Sequence, residues 1–203
     1  MKGRLFINLR IDFYNSRLFS FMGNYYLDIE TTGLDADVDE ILTIQYQELN
    51  RYSGEAVGEL VILKAWESSE KGIIERFLNE TSFLDAYDFS FIPVGYNFYF
   101  EHNFLKRRAE IHGLPEIDIL SKPFIDLRVI GILMNRGEFR GSGLDNITGK
   151  TISGRMVPVW FDSGDYSRIV DYIEMEAEEF VKFLKWLYIR MPSLFGEWGS
   201  SFS

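Results

Sequence analysis

The sequence has no cysteine and only two histidines, His102 and His112, among its 203 residues. The absence of cysteine excludes disulfide bonds, thiolate metal sites and cysteine nucleophiles. With two histidines a zinc site built mainly from imidazoles is not expected, whereas sites that use carboxylate oxygens stay open. Aspartate and glutamate are therefore the first candidates for any metal centre in this chain.

Long apolar runs are missing as well, because no stretch reaches the roughly 18 residues that a bilayer-spanning helix needs. Segment 1–21 is basic, but Arg10, Asp12 and Arg17 interrupt any signal-peptide core. We therefore predict a cytoplasmic protein that does not act at a membrane. The net charge of −10 argues against a surface coated for nucleic acid, but it is compatible with an enzyme whose clustered acids hold cations.

The hydrophobic pattern alternates between strand and helix periods, which predicts an α/β fold with a mixed central β-sheet flanked by helices. Strands are predicted at 24–29, 41–49, 56–66 and 91–97, with a further short strand or helix entry at "PFIDL" (123–127). Helices are predicted after Ser68 or Ser69, at about Tyr99–Ile111, from "LRVIGILMNR", at "LDNIT" within the Gly-rich stretch 137–154, and at about Tyr166–Arg190.

One domain is expected, covering residues 24–192. Residues 1–23 are treated as an N-terminal extension of uncertain role, and residues 193–203 as a flexible tail that is rich in Gly and Ser. Neither an internal repeat nor a dividing linker is visible in the pattern.

Two carboxylates, Asp28 and Glu30, interrupt the first apolar strand in "YYLDIETTGL" (25–34). Residues two apart on a strand project from the same face, about 7 Å apart along the backbone. Gly33 follows and permits backbone conformations that a Cβ would forbid. Paired acids at a strand end suit oxygen ligation of Mg²⁺ or Mn²⁺. From spacing alone, a pair of edge-strand acids facing water fits as well.

"DIETTGL" resembles the first signature, D-x-E-x-T-G-L, of the DEDD exonucleases, a proofreading-type (DnaQ-like) 3′–5′ exonuclease superfamily with a ribonuclease H-like fold. The resemblance can be followed from about residue 24 to residue 190. It implies that Asp28 and Glu30 are metal-binding and catalytic. It also implies that Thr32, Gly33 and Leu34 bracket the terminal nucleotide of the substrate.

"GYNFYFEHNFL" (95–105) is similar to the second family signature, with Glu101 where the family usually has Asp. Glu101 falls on the helical face of Leu105 and can therefore point at the sheet. The resemblance implies that Glu101 is catalytic and binds metal. Asn97 is expected to contact substrate or to cap the helix, and Asp126 to have a supporting or helix-capping role.

The third signature divides the family into histidine and tyrosine branches. Because no histidine follows residue 112, the histidine branch is excluded. "DYIEMEAEEF" offers Tyr172 and Glu176 at the tyrosine-branch spacing, again with Glu for Asp, and both border the apolar stripe of a long helix. Tyr172 is expected to orient the attacking water, and Glu176 to be catalytic and to bind metal.

The resemblance implies a metal-dependent 3′–5′ exonuclease acting on single-stranded DNA ends, with a role such as DNA repair. Two divalent cations, Mg²⁺ or Mn²⁺, would be held by Asp28, Glu30, Glu101 and Glu176. Two alternatives are open. One is a catalytically weakened nucleic-acid-binding or interaction module on the same fold, suggested by Glu101 and Glu176 at positions where the family usually has aspartate. The other is an exoribonuclease. The basic residues that follow the second signature are read either as a phosphate guide or as a solvated helix face; they are Lys106, Arg107 and Arg108.

Overall fold

The computed structural model describes residues 23–85, 87–149 and 154–201, so the predicted N-terminal extension lies almost wholly outside the described residues. The five strands are Asn24–Thr31 (β1), Ile41–Leu49 (β2), Val61–Lys64 (β3), Ile92–Gly95 (β4) and Ile125–Asp126 (β5). The α-helices are Glu70–Glu80 (α1), Tyr99–Ile111 (α2), Arg128–Met134 (α3), Leu144–Thr148 (α4), Val157–Asp162 (α5) and Tyr166–Ser200 (α6). Short 3₁₀ turns cover Ala65–Glu67 and Gly154–Met156.

The strands form one sheet in the order β3-β2-β1-β4-β5. β1 pairs antiparallel with β2 and parallel with β4, while β3 is antiparallel to β2 and β5 is parallel to β4. The predicted mixed sheet flanked by helices is confirmed. β1 lies in the middle of the sheet, so both edges of the strand that carries Asp28 are hydrogen-bonded to neighbouring strands.

The two faces of β1 pack against different helices, as its alternation predicts. Leu27 and Ile29 lie in an apolar cluster with α1 and α2, which is centred on Phe77 and Phe104. On the other face, Tyr26 packs in a cluster with α6. Asp28 and Glu30 follow Tyr26 in the strand period and therefore project toward α6.

β2 contains an irregularity opposite the end of β1. Glu30 pairs with Thr43, but the next residue, Thr31, pairs with Ile41, so Leu42 is the additional residue of a β-bulge. Leu42 accordingly packs with α5 and α6, whereas Ile44 packs on the opposite face. The bulge lies beside Glu30, at the end of the strand that carries both sequence-predicted acids.

Three secondary-structure predictions differ substantially from the structure. The third strand begins at Val61 rather than 56, because Gly58 interrupts the pattern and Ala56 makes only an isolated bridge to Leu49. Its last predicted residues form a 3₁₀ turn instead. Helix α5 was not predicted, although Pro158 is in its first turn, where proline marks a helix start.

The third error concerns the C-terminal helix. α6 was expected to end at about Arg190, but it continues through Pro192 to Ser200. The segment predicted as a flexible tail, 193–203, is thus helical as far as Ser200. A proline inside a helix removes one hydrogen bond and crowds the preceding turn, which is why a helix end was expected here, but the helix continues past Pro192. Within the described residues, no helix combines the length and the apolar character that a membrane span requires.

A buried ion cluster joins α1, α2 and β2. Glu70 accepts two hydrogen bonds from Arg108, at 2.7 and 2.6 Å, and one from the Ile41 N–H at 2.7 Å. His112 Nε2 lies 2.6 Å from the same carboxylate. Burial raises the pKa of Glu70, but the hydrogen bonds from Arg108 and His112 outweigh it, so the pKa lies below its ordinary value of 4.5.

We predict that Glu70→Ala lowers the free energy of unfolding by about 3–5 kcal/mol at pH 7, because it leaves the Arg108 guanidinium buried without a counter-charge. Since the folded-state pKa is depressed, the contribution of Glu70 is complete above its unfolded value of 4.5 and is lost as the pH falls below it. Urea unfolding at pH 7 and pH 4 measures both effects.

The matched control is Glu67→Ala, which removes an exposed ion pair with Lys64. It should change the free energy of unfolding by less than about 1 kcal/mol. Equal effects of the two substitutions would contradict a structural role for the buried cluster.

Candidate active site

Asp28 and Glu30 face α6 near the end of β1, where α6 brings a third acid to them. One carboxylate oxygen from each of Asp28, Glu30 and Glu176 lies within 4.8 Å of the others. Glu30 is buried, and the other two are partly buried. The sequence prediction that Glu176 joins the strand acids, rather than the outer acidic face of its helix, is consistent with this geometry.

Tyr172 lies one turn before Glu176 on α6, and its side chain is buried. Its ring is 6.0 Å from that of Trp160 on α5, and its hydroxyl hydrogen-bonds the Glu176 carboxylate. Burial and the neighbouring charges of Glu176 and Glu30 raise the pKa of Tyr172 above its ordinary value. The phenol is therefore neutral throughout the physiological range.

Glu101 enters the same cavity from the first turn of α2 and is only 4% exposed. Its Oε2 is buried and has no hydrogen-bond partner among the described residues. Burial and the charge of Asp28 raise the pKa of Glu101 well above its ordinary value. An unsatisfied buried carboxylate oxygen beside another carboxylate is unfavourable unless a proton or a cation is shared between them.

The pKa of Asp28 is raised as well. Its burial and the charge of Glu176 raise its pKa to about 6, although hydrogen bonds to its carboxylate partly offset this. Tyr26 donates to Asp28 Oδ2 at 3.1 Å, and Gln45 Nε2 donates to the same oxygen at 3.2 Å. Because both donors engage one oxygen, they fix the rotamer of Asp28.

Sequence reasoning missed these supporting residues. Gln45 lies directly opposite Asp28 on β2, and its Oε1 accepts a hydrogen bond of 2.9 Å from Thr43, which lies opposite Glu30. Both β2 side chains are fully buried. The available signal was the spacing of Thr43, Gln45 and Gln47, polar residues at alternate positions of an apolar strand.

The acids fit a hard divalent cation. Mg²⁺ and Mn²⁺ prefer carboxylate oxygens, which is the donor set that this cavity offers. The unsatisfied Oε2 of Glu101 and the raised pKa values of Glu101 and Asp28 are the features expected of a cluster whose negative charge a bound cation would compensate. The cavity has a volume of about 260 Å³, and it is also lined by Tyr96, Asn97, Phe100 and Arg128.

Gly154 lies against the cavity as well. A Cβ at this position would be 3.0 Å from the Tyr172 hydroxyl and 3.9 Å from Glu30 Oε2. A glycine here leaves space beside both functional groups. Gly154 was not singled out from the sequence, where it appears only as one of several glycines in the stretch 137–154.

The segment Thr32–Leu34 forms a turn beside the acids. The Thr32 hydroxyl lies 3.3 Å from Asp39 Oδ1 and accepts the Glu40 N–H at 2.9 Å. Gly33 does not have a positive φ, contrary to the expected reason for its presence. It is needed for space instead, because a Cβ would lie 2.3 Å from the Asp39 carboxylate.

Leu34 is 87% exposed and lines a groove of about 760 Å³. The groove also contains the exposed side chain of Tyr99 and the side chain of Asn103. It shares Asn97 and Phe100 with the acidic cavity, so the two spaces adjoin. Among the aromatic residues near the site, Tyr99 faces this groove, whereas Phe98 is buried in the core and Tyr166 stacks on Trp66 at 4.8 Å.

Asn97 has a left-handed backbone, with φ of 73°. The carboxylate of Asp126 fixes the chain just before α2, where it accepts the N–H groups of Asn97 at 2.8 Å and Phe98 at 3.1 Å. Of the two roles expected for Asp126, these hydrogen bonds fit the supporting one. This leaves the Asn97 side chain at the junction between the cavity and the groove.

The basic residues of α2 are not a uniform phosphate guide. Arg108 is buried against Glu70, so neither of the predicted roles applies to it. Arg107 pairs with Asp37 and Glu110, and Lys106 pairs with Glu116 and Asp118. Lys150, another basic residue of the sequence, lies outside the described residues.

Comparison with solved structures identifies the fold. The structure is similar to zinc-bound Escherichia coli exonuclease I in complex with single-stranded DNA, with a TM-score of 0.57 and 13% identity over 87% of this chain and 42% of that chain. A product-bound exonuclease I gives a TM-score of 0.54 and 14% identity, over 87% and 45% of the two chains. This chain thus spans less than half the length of these proteins. At such identities the similarity concerns the fold.

No curated protein matches the chain. The family described as the RNase_H superfamily matches residues 25–183, which include all but the first residue of β1, the whole of β2–β5, all four acids and Tyr172. The predicted ribonuclease H-like fold is therefore confirmed. The chain belongs to the RNase_H superfamily.

Proposed function

We propose that this protein is a metal-dependent 3′–5′ exonuclease of the tyrosine branch, which hydrolyses phosphodiester bonds at single-stranded DNA ends. The observation that carries the proposal is the convergence of carboxylates from β1, α2 and α6 in one cavity. These residues are distant in sequence and coincide with the three family signatures. The ssDNA-bound exonuclease I of the same fold supports a nucleic acid substrate.

Asp28, Glu30, Glu101 and Glu176 would hold two divalent cations. Bound cations of this kind lower the pKa of an attacking water and offset charge on the leaving oxygen. The protein supplies the geometry: β1 fixes two acids, Tyr26 and Gln45 fix the rotamer of Asp28, and α2 and α6 each contribute one glutamate.

Tyr172 is assigned an orienting role. Its raised pKa excludes it as a general base at neutral pH, because a neutral phenol holds its proton. The hydroxyl is a hydrogen-bond donor and acceptor at the edge of the cavity, beside Glu176 and Glu30. It can therefore hold a water molecule in the position from which a phosphorus atom is attacked.

The groove beside Leu34 is the proposed path of the terminal nucleotide. Leu34 presents an exposed apolar side chain, and Tyr99 and Phe100 add aromatic surface on the α2 side. A base that lies in this groove would bring its phosphate to the acidic cavity, because the two spaces share Asn97 and Phe100. Base–aromatic stacking is sequence-tolerant, which suits an exonuclease.

The positions of Glu101 and Glu176 favour an active enzyme over a binding module. Each is longer than aspartate by one methylene, yet Glu101 and Glu176 both reach the cavity and place oxygens near Asp28. The following experiments distinguish the proposed DNA exonuclease from the two alternatives, a binding module without catalysis and an exoribonuclease.

We predict that the wild type shortens a 5′-labelled DNA oligonucleotide stepwise in Mg²⁺ or Mn²⁺ and that EDTA stops the reaction. Asp28→Asn should reduce the rate by at least about 100-fold, because it removes one charged metal ligand. Parallel RNA oligonucleotides measure the sugar preference. A 3′-labelled substrate should release its label as the first mononucleotide product.

The control for this assay is Glu75→Gln, which alters an exposed acid paired with Lys71 on α1 and should leave the rate unchanged. Undiminished degradation by Asp28→Asn would contradict the site assignment. Activity that persists in EDTA would contradict the proposed reaction. Release of the 5′ label as the first product, which indicates degradation from the 5′ end, would also contradict it.

Metal binding can be measured without turnover. At a concentration of about 100 times its dissociation constant, Mn²⁺ should raise the free energy of unfolding of the wild type by about 2.7 kcal/mol. Asp28→Asn should show a much smaller gain, and Glu75→Gln the full one, in thermal unfolding with and without the ion. An Mn²⁺-induced stabilisation of equal size in all three proteins would show that the ion binds outside the acidic cavity.

A further inference from the structure

Arg128 is a cationic side chain in the acidic cavity. Among the described residues that line this cavity, four carry carboxylates and Arg128 carries the one positive charge. Its side chain is partly buried. The charge of Arg128 also lowers the pKa of Tyr96, which lines the same cavity, against the stronger effect of burial. Arg128 is therefore the one cationic group among the described lining residues that is placed to meet an anion in this cavity.

The backbone of Arg128 is fixed relative to the rest of the site. Arg128 is the first residue of α3, and its N–H donates to Asp126 Oδ1 at 2.9 Å. The same carboxylate accepts the N–H groups of Asn97 and Phe98 at the start of α2. Asp126 thus joins the two chain segments from which Arg128 and Glu101 enter the cavity.

Arg128 is not neutralised by the acids beside it. No carboxylate oxygen of the described residues lies within 4.0 Å of its guanidinium nitrogens, whereas Arg107 and Arg108 on α2 each form such pairs. An arginine next to a cluster of acids normally pairs with one of them. Here Tyr26 and Gln45 hydrogen-bond Asp28, and Tyr172 hydrogen-bonds Glu176, while the guanidinium forms no such ion pair within the described part of the chain and can donate to a ligand.

We propose that Arg128 binds a phosphate of the nucleic acid strand in the cavity, through its non-bridging oxygens. This inference rests on the proposed nuclease function and deepens it. Two divalent cations balance four carboxylates, so the negative charge of a phosphodiester needs a further cation. A guanidinium can donate two parallel N–H bonds to the non-bridging oxygens, which fixes the orientation of the phosphate as well as its charge.

The test compares Arg128→Gln, Arg128→Lys and a matched control, Arg76→Gln. Arg76 is an exposed arginine on α1 that pairs with Glu80. Binding of a 5′-fluorescein dT oligonucleotide is followed by anisotropy in Ca²⁺ over a range of salt concentrations, and the intact length of the strand is checked at the end. Hydrolysis in Mg²⁺ and the Mn²⁺-induced rise in thermal stability are measured on the same proteins.

Arg128→Gln should weaken oligonucleotide binding about 10- to 100-fold, since it removes charge-assisted hydrogen bonds. It should also reduce the slope of log affinity against log salt by about 0.7, the value for one phosphate contact on a single strand. Arg128→Lys should keep the salt slope but lose part of the affinity, because an ammonium cannot donate in a fork. Arg76→Gln should bind like the wild type.

The Mn²⁺-induced stabilisation should be the same in all four proteins, which separates phosphate binding from metal binding and from misfolding. If Arg128→Gln binds with wild-type affinity and salt slope while the wild type hydrolyses DNA, the role of Arg128 is refuted and the nuclease function stands. If the wild type hydrolyses neither DNA nor RNA, the proposed function has failed instead. Should Arg128→Gln not fold, Arg128→Lys with full wild-type affinity would refute the role of Arg128.

Discussion

Mutual repulsion among carboxylates in a largely buried cavity is the constraint on which this structure depends. Asp28, Glu30 and Glu176 meet within 4.8 Å, and Glu101 adds a buried oxygen with no hydrogen-bond partner in the described structure. A cluster of this kind opposes folding unless protons or cations compensate it. The raised pKa values of Asp28 and Glu101 are a consequence of this burial and of the repulsion between the carboxylates. We interpret the cluster as a site whose stability and chemistry both come from bound divalent cations.

The surrounding fold makes this arrangement possible by rigid support on each side. β1 is central in the sheet, and its neighbour β2 supplies Gln45 to Asp28 and a bulge beside Glu30. The buried Glu70 cluster anchors α2 to α1 and β2, which holds the helix that carries Glu101. Asp126 then ties the start of α2 to the start of α3. Each acid is therefore held by an element that has its own packing or hydrogen bonds.

The local sequence pattern was sufficient to predict the strand and the helices that carry the acids. The bounds of β2 and α2, the two faces of β1 and the phase of Tyr172 and Glu176 on α6 followed from hydrophobic period. The support of the site did not follow, because Gln45, Gly154 and Arg128 act through contacts between distant segments. Arg108 shows the same limit: it was read as a surface charge, but a partner 38 positions away buries it. The extension of α6 beyond Pro192 was missed because a proline inside a helical pattern ordinarily ends or kinks the helix, whereas here the helical turns continue past it.

Anomalous diffraction from crystals soaked in Mn²⁺ tests the central claim most directly. The account predicts two anomalous peaks in the cavity, within about 2.0–2.6 Å of carboxylate oxygens that include those of Asp28 and Glu176, with Glu101 Oε2 turned onto an ion. A cavity without anomalous density at saturating Mn²⁺, with the carboxylates of Glu101 and Asp28 still in contact, would contradict it.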